Sequence, residues 1–393
     1  MLFRKISTFY YAGFLWLLTW AGFSKALQEN VYHQSKERQL QLFVVDDSMN
    51  DNGNINTLTR YILGKRQLSD EQKKLYPFSV LHMPSWMYRK FISDNPTPTN
   101  PYSGGGYSNG LVTADRLAQL LNIDTRNSTQ YQNIAHGSAT ATKRFSFSKG
   151  GIGRWVFTTP MDDQWSFLAK KKQTFRRKDI LLLGGGYNDY REGFISEENI
   201  KEVVSIKDSI AKEFLRLGGG IVVLGTLGDL TMTPCYRDSP YKDNLKQALI
   251  EHNKLTREKY KSVQSEDLGI IFIDYDVLLL TIKDEFDNSG FDTRNPCFKV
   301  TLDVCTILEK DYVELFNSAN AKEPCGNPKQ HMYCDVLHFG YEVHAIIAAV
   351  IRKEIGEKGE IEQDCLFERG VFNDKVNRVY AEYKARLLTE NDE

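Results

Sequence analysis

Gln41-Leu42-Phe43-Val44-Val45-Asp46-Asp47-Ser48-Met49-Asn50-Asp51-Asn52-Gly53-Asn54 passes from a short apolar run directly into polar, turn-forming residues. Such a run reads as a buried strand opening into a loop. The same grammar recurs three times. Ile180-Leu181-Leu182-Leu183 runs into Gly184-Gly185-Gly186-Tyr187-Asn188-Asp189, Ile221-Val222-Val223-Leu224 into Gly225-Thr226, and Ile270-Ile271-Phe272-Ile273 into Asp274. Residues 196–217 carry Ile200, Val203, Val204, Ile210 and Phe214 at helical spacing and stop at Gly218-Gly219-Gly220. A second helix is predicted over 243–260, and a third, apolar one over 342–355. Strands alternating with helices predict an α/β fold, a parallel sheet covered on both faces. In such sheets functional groups collect at the carboxyl ends of the strands. The polar clusters after Val45 and Leu183 fall on that edge.

Composition narrows the function. Lys and Arg total 50 against 51 Asp and Glu, a net charge of -1. That balance lacks the broad basic footprint of a nucleic-acid binder. At the N-terminus Arg4 and Lys5 precede an apolar stretch from Tyr10 to Phe23, and Ser24-Lys25-Ala26 offers a small-x-small cleavage site. The apolar stretch is short for a bilayer span, so residues 1–26 are predicted to be a signal peptide. A secreted or periplasmic location follows. Residues 27–393 are then expected to form a single domain with insertions at about 64–107 and 284–330. Within the first insertion, His82-Met83-Pro84-Ser85-Trp86-Met87-Tyr88 is unusually apolar for a loop. Cys235, Cys297, Cys305, Cys325, Cys334 and Cys365 fit an oxidising compartment, with one or two loop-closing bridges whose pairing is not legible.

Four short blocks carry chemistry. Ser48, just past a buried strand in a tight loop, suits a nucleophile whose own N–H faces the reacting oxygen. A calcium loop built on Gly53 would put Ser48 first and Thr59 twelfth, where carboxylates are required. Asn133-Ile134-Ala135-His136-Gly137-Ser138-Ala139 offers small residues that let backbone approach a substrate. The glycines before Asn188 lack the third Gly of a dinucleotide fingerprint and the Lys-Ser/Thr of a phosphate loop. An Asn held there can instead donate its amide to an oxyanion. In Tyr333-Cys334-Asp335-Val336-Leu337-His338-Phe339, an Asp three residues before a His can bond Nδ1–H and leave Nε2 free to take a proton. Cys325, His331, Cys334 and His338 are close in sequence, but their spacing matches no common zinc site. No metal and no cofactor are expected.

Taken in order, these blocks resemble the GDSL/SGNH hydrolase family. The likeness is strongest to its secreted phospholipases, thermolabile haemolysins and glycerophospholipid–cholesterol acyltransferases. Ser108-Asn109-Gly110, Leu117-Ala118-Gln119-Leu120-Leu121 and His252-Asn253-Lys254-Leu255 extend it, from about Leu40 to about Ile355. The resemblance implies a flavodoxin-like three-layer αβα sandwich. It implies Ser48 as nucleophile, His338 as general base and acid, and Asp335 as the carboxylate orienting it. The oxyanion hole would comprise the N–H groups of Ser48 and Gly137 and the Asn188 amide, with Gly137-Ser138 standing where the family has two glycines. A Cys297–Cys325 bridge closing a loop that limits access until a protease cuts it is also expected.

This chain departs from the family at Asp46, where the family has Gly. A positive φ there would cost a non-Gly residue about 1–2 kcal/mol, and a nearby carboxylate would oppose an anionic transition state. Phe339 replaces Pro, and Cys334 replaces Trp. The reaction expected is two-step acyl transfer on a lipid or phospholipid ester at a membrane surface. The rivals are a small-ester or carbohydrate esterase on the same fold and a silent binding protein or adhesin.

Overall fold

The computed structural model describes residues 39–75, 81, 84–85, 105–142, 159–191, 193–261, 269–298, 325–358 and 371–389. The predicted signal peptide, most of His82–Tyr88 and residues 299–324 of the second insertion lie outside them. Contacts separate Met1–Leu40 from one compact unit, Gln41–Glu393.

Five strands form the central sheet: β1 (Gln41–Val45), β2 (Tyr131–Asn133), β3 (Asp179–Leu183), β4 (Ile221–Gly225) and β5 (Ile270–Ile273). Every pairing is parallel, in the order β2-β1-β3-β4-β5. That is the doubly wound order of flavodoxin-like sheets. Strands β3, β4 and β5 are buried throughout, which is why they read as continuous apolar runs rather than alternating ones. Strand β2 has only the polar sequence Tyr131-Gln132-Asn133 and lies at the sheet edge. Nothing in its local pattern marks it as a strand.

Among the described residues the helices are α1 (Asn54–Ile62), α2 (Asp70–Leu75), α3 (Thr113–Leu120), α4 (Met161–Lys172), α5 (Tyr187–Arg191) and α6 (Glu197–Arg216). They continue with α7 (Lys242–Lys261), α8 (Tyr275–Asn288), α9 (Tyr341–Glu357) and α10 (Val371–Thr389). On one face of the sheet Phe43, Leu181, Leu183 and Val222 pack against Trp165 and Leu168 of α4, Ile210 and Phe214 of α6, and Tyr260 of α7. Helix α9 packs against α3 and β5, and α10 against α8 and α9. The predicted boundaries of α6 agree with the observed ones. The Ser196 side chain caps its N-terminus by accepting from the Asn199 N–H, and Gly218, at φ 98°, turns the chain out of it. Helix α10 buries Val376, Val379 and Tyr383 at helical spacing. None of the described helices is long and apolar enough to cross a membrane.

A short parallel ladder, β6 (Asp292–Pro296) with β7 (His331–Tyr333), stands apart from the main sheet. It delivers the chain to Asp335.

Candidate active site

Register assembles the site. Val45 pairs with Leu183, so the Asp46-Asp47-Ser48 and Gly184-Gly185-Gly186 turns leave the sheet side by side. Val44 pairs with Asn133, which brings His136-Gly137-Ser138 along the other side of β1. There the His136 N–H donates to the Asp46 carbonyl at 3.1 Å. Chain order reverses between β1 and β3, the crevice where doubly wound sheets hold their ligands.

Ser48, His338 and Asp335 form one hydrogen-bonded chain there. Ser48 Oγ is 2.9 Å from His338 Nε2, and His338 Nδ1 is 2.7 Å from Asp335 Oδ2. Asp335 Oδ1 accepts the N–H groups of Leu337 and His338 at 2.7 and 2.6 Å, which fixes the carboxylate. The loop is pinned at several points. The Cys334 N–H donates to the His338 carbonyl at 2.8 Å, the Cys235 N–H donates to the Val336 carbonyl at 2.9 Å, and Tyr333 bridges Phe339. Tyr107 lies against the imidazole, ring centres 4.7 Å apart. A carboxylate on Nδ1 selects the tautomer that leaves Nε2 as an acceptor for the Ser48 hydroxyl.

The oxyanion side differs from expectation at one residue. Among the described residues, the Ser48 N–H has no hydrogen-bond partner. Asn188, on α5, donates one amide hydrogen to the Ala139 carbonyl at 2.9 Å, and its Oδ1 accepts from Arg191 at 2.9 Å. An amide carries two hydrogens, so one remains for a ligand. Gly137 is otherwise engaged. Its N–H donates to Asp51 Oδ2 at 2.7 Å, and a Cβ there would meet the Tyr107 hydroxyl at 2.4 Å. Gly137 therefore packs the wall behind His338 rather than donating into the cleft. Ser138 takes φ 64°, the left-handed conformation that a glycine would adopt without cost.

Asp46 does not have positive φ, so the backbone penalty expected there is absent. Its carboxyl accepts the Asp47 N–H at 2.7 Å and the Asn50 amide at 2.5 Å. Burial pushes it up to about 6, and pushes Asp47 higher still, with the charge of Asp46 adding to the effect. Lys207 of α6 is buried beside them, donating to the carbonyls of Gly185 and Gly225 at 3.4 and 3.3 Å. Burial lowers its ammonium to about 8, partly offset by the two carboxylates.

Sequence reasoning missed Arg191, Asp51, Asn50 and Lys207. Arg191 follows Asn188 by one helical turn, and Asp51 accepts the Gly53, Asn54 and Ile55 N–H groups opening α1, so both had a local signal. Lys207 had none, because its burial depends on how α6 lies on the strand ends. His136 and His344 are held at about 4 and about 3 by burial, and both serve as packed neutral imidazoles.

Cys297 and Cys325 form a disulfide, and Cys334 is a buried thiol packed against it. With Cys325 bridged and His338 bonded to Asp335, the four residues weighed for zinc do not form a ligand set. Cys235 is also disulfide-bonded.

Ser48 and His338 line a cleft that also takes in Asn188, Arg191, Leu230, Leu279 and Leu337. The family model of GDSL-like lipases and acylhydrolases matches residues 42–351, from β1 into α9. Over 310 residues the chain is 23% identical to the secreted effector protein SseJ of Salmonella typhimurium. That match covers 77% of this chain, which spans only 65% of the length of that relative.

Proposed function

Because this chain belongs to the GDSL-like lipase/acylhydrolase family, we propose that it is a serine hydrolase of lipid acyl esters, with Ser48, His338 and Asp335 as its triad. The observation that carries this reading is the chain from Ser48 Oγ through His338 to Asp335, with both links under 3 Å (2.9 and 2.7 Å). As Ser48 Oγ attacks the ester carbonyl, its proton passes to His338 Nε2. Asp335 stabilises the imidazolium that results. The carbonyl oxygen becomes an oxyanion facing the Ser48 N–H and the second Asn188 amide hydrogen. Collapse breaks the ester C–O bond, and His338 returns the proton to the leaving alcohol. Water then attacks the acyl-enzyme with His338 as base, and the acid and free Ser48 are released. An alcohol in place of water would make the same site an acyltransferase.

A lipid substrate is supported by the cleft wall, where Leu230, Leu279, Leu337 and Phe339 offer apolar surface beside the triad. The basic-then-apolar N-terminus, and a relative that is a secreted effector, support export and action at a membrane surface as a phospholipase or lysophospholipase. The test is labelling with a fluorophosphonate, followed by a panel of esters of rising acyl length. The native protein is expected to be labelled and to hydrolyse long-chain phospholipid esters faster than acetyl esters, and Ser48→Ala to do neither while remaining folded. A native protein that resists the probe would be a binding protein on this fold. One that prefers acetyl esters would be a small-ester esterase.

A further inference from the structure

The buried carboxyl one residue before Asp47 has no place in the mechanism above, yet a site is built for it. A Cβ on Gly184 would lie 2.1 Å from Asp46 Oδ2, 2.4 Å from its Cγ and 2.5 Å from its Oδ1, its three nearest neighbours. Gly184 does not have positive φ, unlike Gly185 and Gly186. Its backbone therefore does not require glycine; the Asp46 side chain does. From α4, Gln164 holds the Asp46 backbone on both sides, accepting its N–H at 3.1 Å and donating to its carbonyl at 2.9 Å. The carboxyl bonds forward to the Asp47 N–H and the Asn50 amide, so it spans the turn that carries Ser48. Asn50 relays that hold outward, accepting from the Ala114 N–H at 2.7 Å and from the Asn133 amide, on its carbonyl, at 2.8 Å. Buried Lys207 supplies the opposing charge.

We propose that Asp46 is a positioning residue for the nucleophile: its carboxyl, seated in the notch left by Gly184, holds the Asp47–Asn50 turn so that Ser48 Oγ meets His338. This rests on Ser48 being the nucleophile, and it gives a role to the residue standing where the family has glycine. Asp46 and Gly184 form one unit. Asp46→Gly removes the brace, and Gly184→Ala expels it by contact.

The test is a double-mutant cycle on Asp46→Gly, Gly184→Ala and the pair, read as kcat, KM, fluorophosphonate labelling rate and Tm. Each single variant is expected to lose about 10- to 100-fold in kcat and in labelling rate, as misplacement of a reacting atom does, with KM little changed. The pair is expected to be no worse than Asp46→Gly alone, because the added methyl then occupies the vacated space. Should a single variant fail to fold, the pair still reports, since its Cβ fills the vacated space. Overturning results are an Asp46→Gly protein labelled at the native rate, or additive losses in the pair. If the native protein itself is not labelled, the assignment of Ser48 fails instead, and the two failures are distinct.

Discussion

Asn188 shows how much of a site can turn on one amide. One of its hydrogens is held by the Ala139 carbonyl and its oxygen by Arg191, so the group cannot flip. The remaining hydrogen is fixed in space before substrate arrives, the condition under which a donor stabilises a developing oxyanion. Asn188→Ala is expected to lower kcat by about 10²–10³-fold with little change in KM, checked by steady-state kinetics on a soluble ester. Arg191→Ala should do less harm, because it frees the amide to rotate without removing it. At the same scale, Gly137 and Asn188 were equally legible as donors. The difference is a hydrogen-bond partner 86 residues away in sequence, Asp51, which takes the Gly137 N–H.

Among the elements, the strand-to-loop transitions were legible because a strand buried on both faces must be apolar throughout. Strand β2 was not, since an edge strand of three residues leaves no such record. The β6–β7 ladder was also unread, although it sets the approach to the triad loop. The Cys297 N–H donates to the Tyr333 carbonyl and the Phe298 N–H to the Cys334 carbonyl, each at 2.9 Å, just ahead of Asp335. The Cys297–Cys325 bridge joins residues 28 apart, one just past β6 and the other ahead of β7. Replacing both cysteines by Ser is expected to cost about 3–4 kcal/mol by the chain-entropy account. Urea midpoints of native and double-Ser proteins measure it. An unchanged midpoint would mean that the ladder holds without its bridge.

Across the whole molecule, three buried carboxyls around the turn that carries Ser48 make stability depend on pH. Burial raises Asp46, Asp47 and Asp51 from their ordinary 3.8, to about 6 for Asp46 and Asp51 and higher for Asp47. In the unfolded chain they lose their protons near 3.8, so above that value the folded state binds more protons. Their contribution to stability is therefore complete below about pH 4 and is lost as pH rises through the folded values. Asp46→Gly removes one of them, and its Tm relative to the native protein is expected to rise between pH 5 and pH 7.5. A Tm difference that stays constant across that window would show that Asp46 does not titrate there.

The sequence by itself determined four of the five strands of the sheet, the order of the blocks along its carboxyl edge, and the pairing of Asp335 with His338, because apolar runs and a three-residue spacing are local properties. Only the tertiary structure decided that Ser48 meets a histidine 290 residues away, that Gly137 turns its N–H from the cleft, and that the Asp46 carboxyl lies where a Cβ on Gly184 would be. The reason is physical: the direction of an N–H and the room for a side chain are set by neighbours brought together through strand register and helix packing, which no local pattern records.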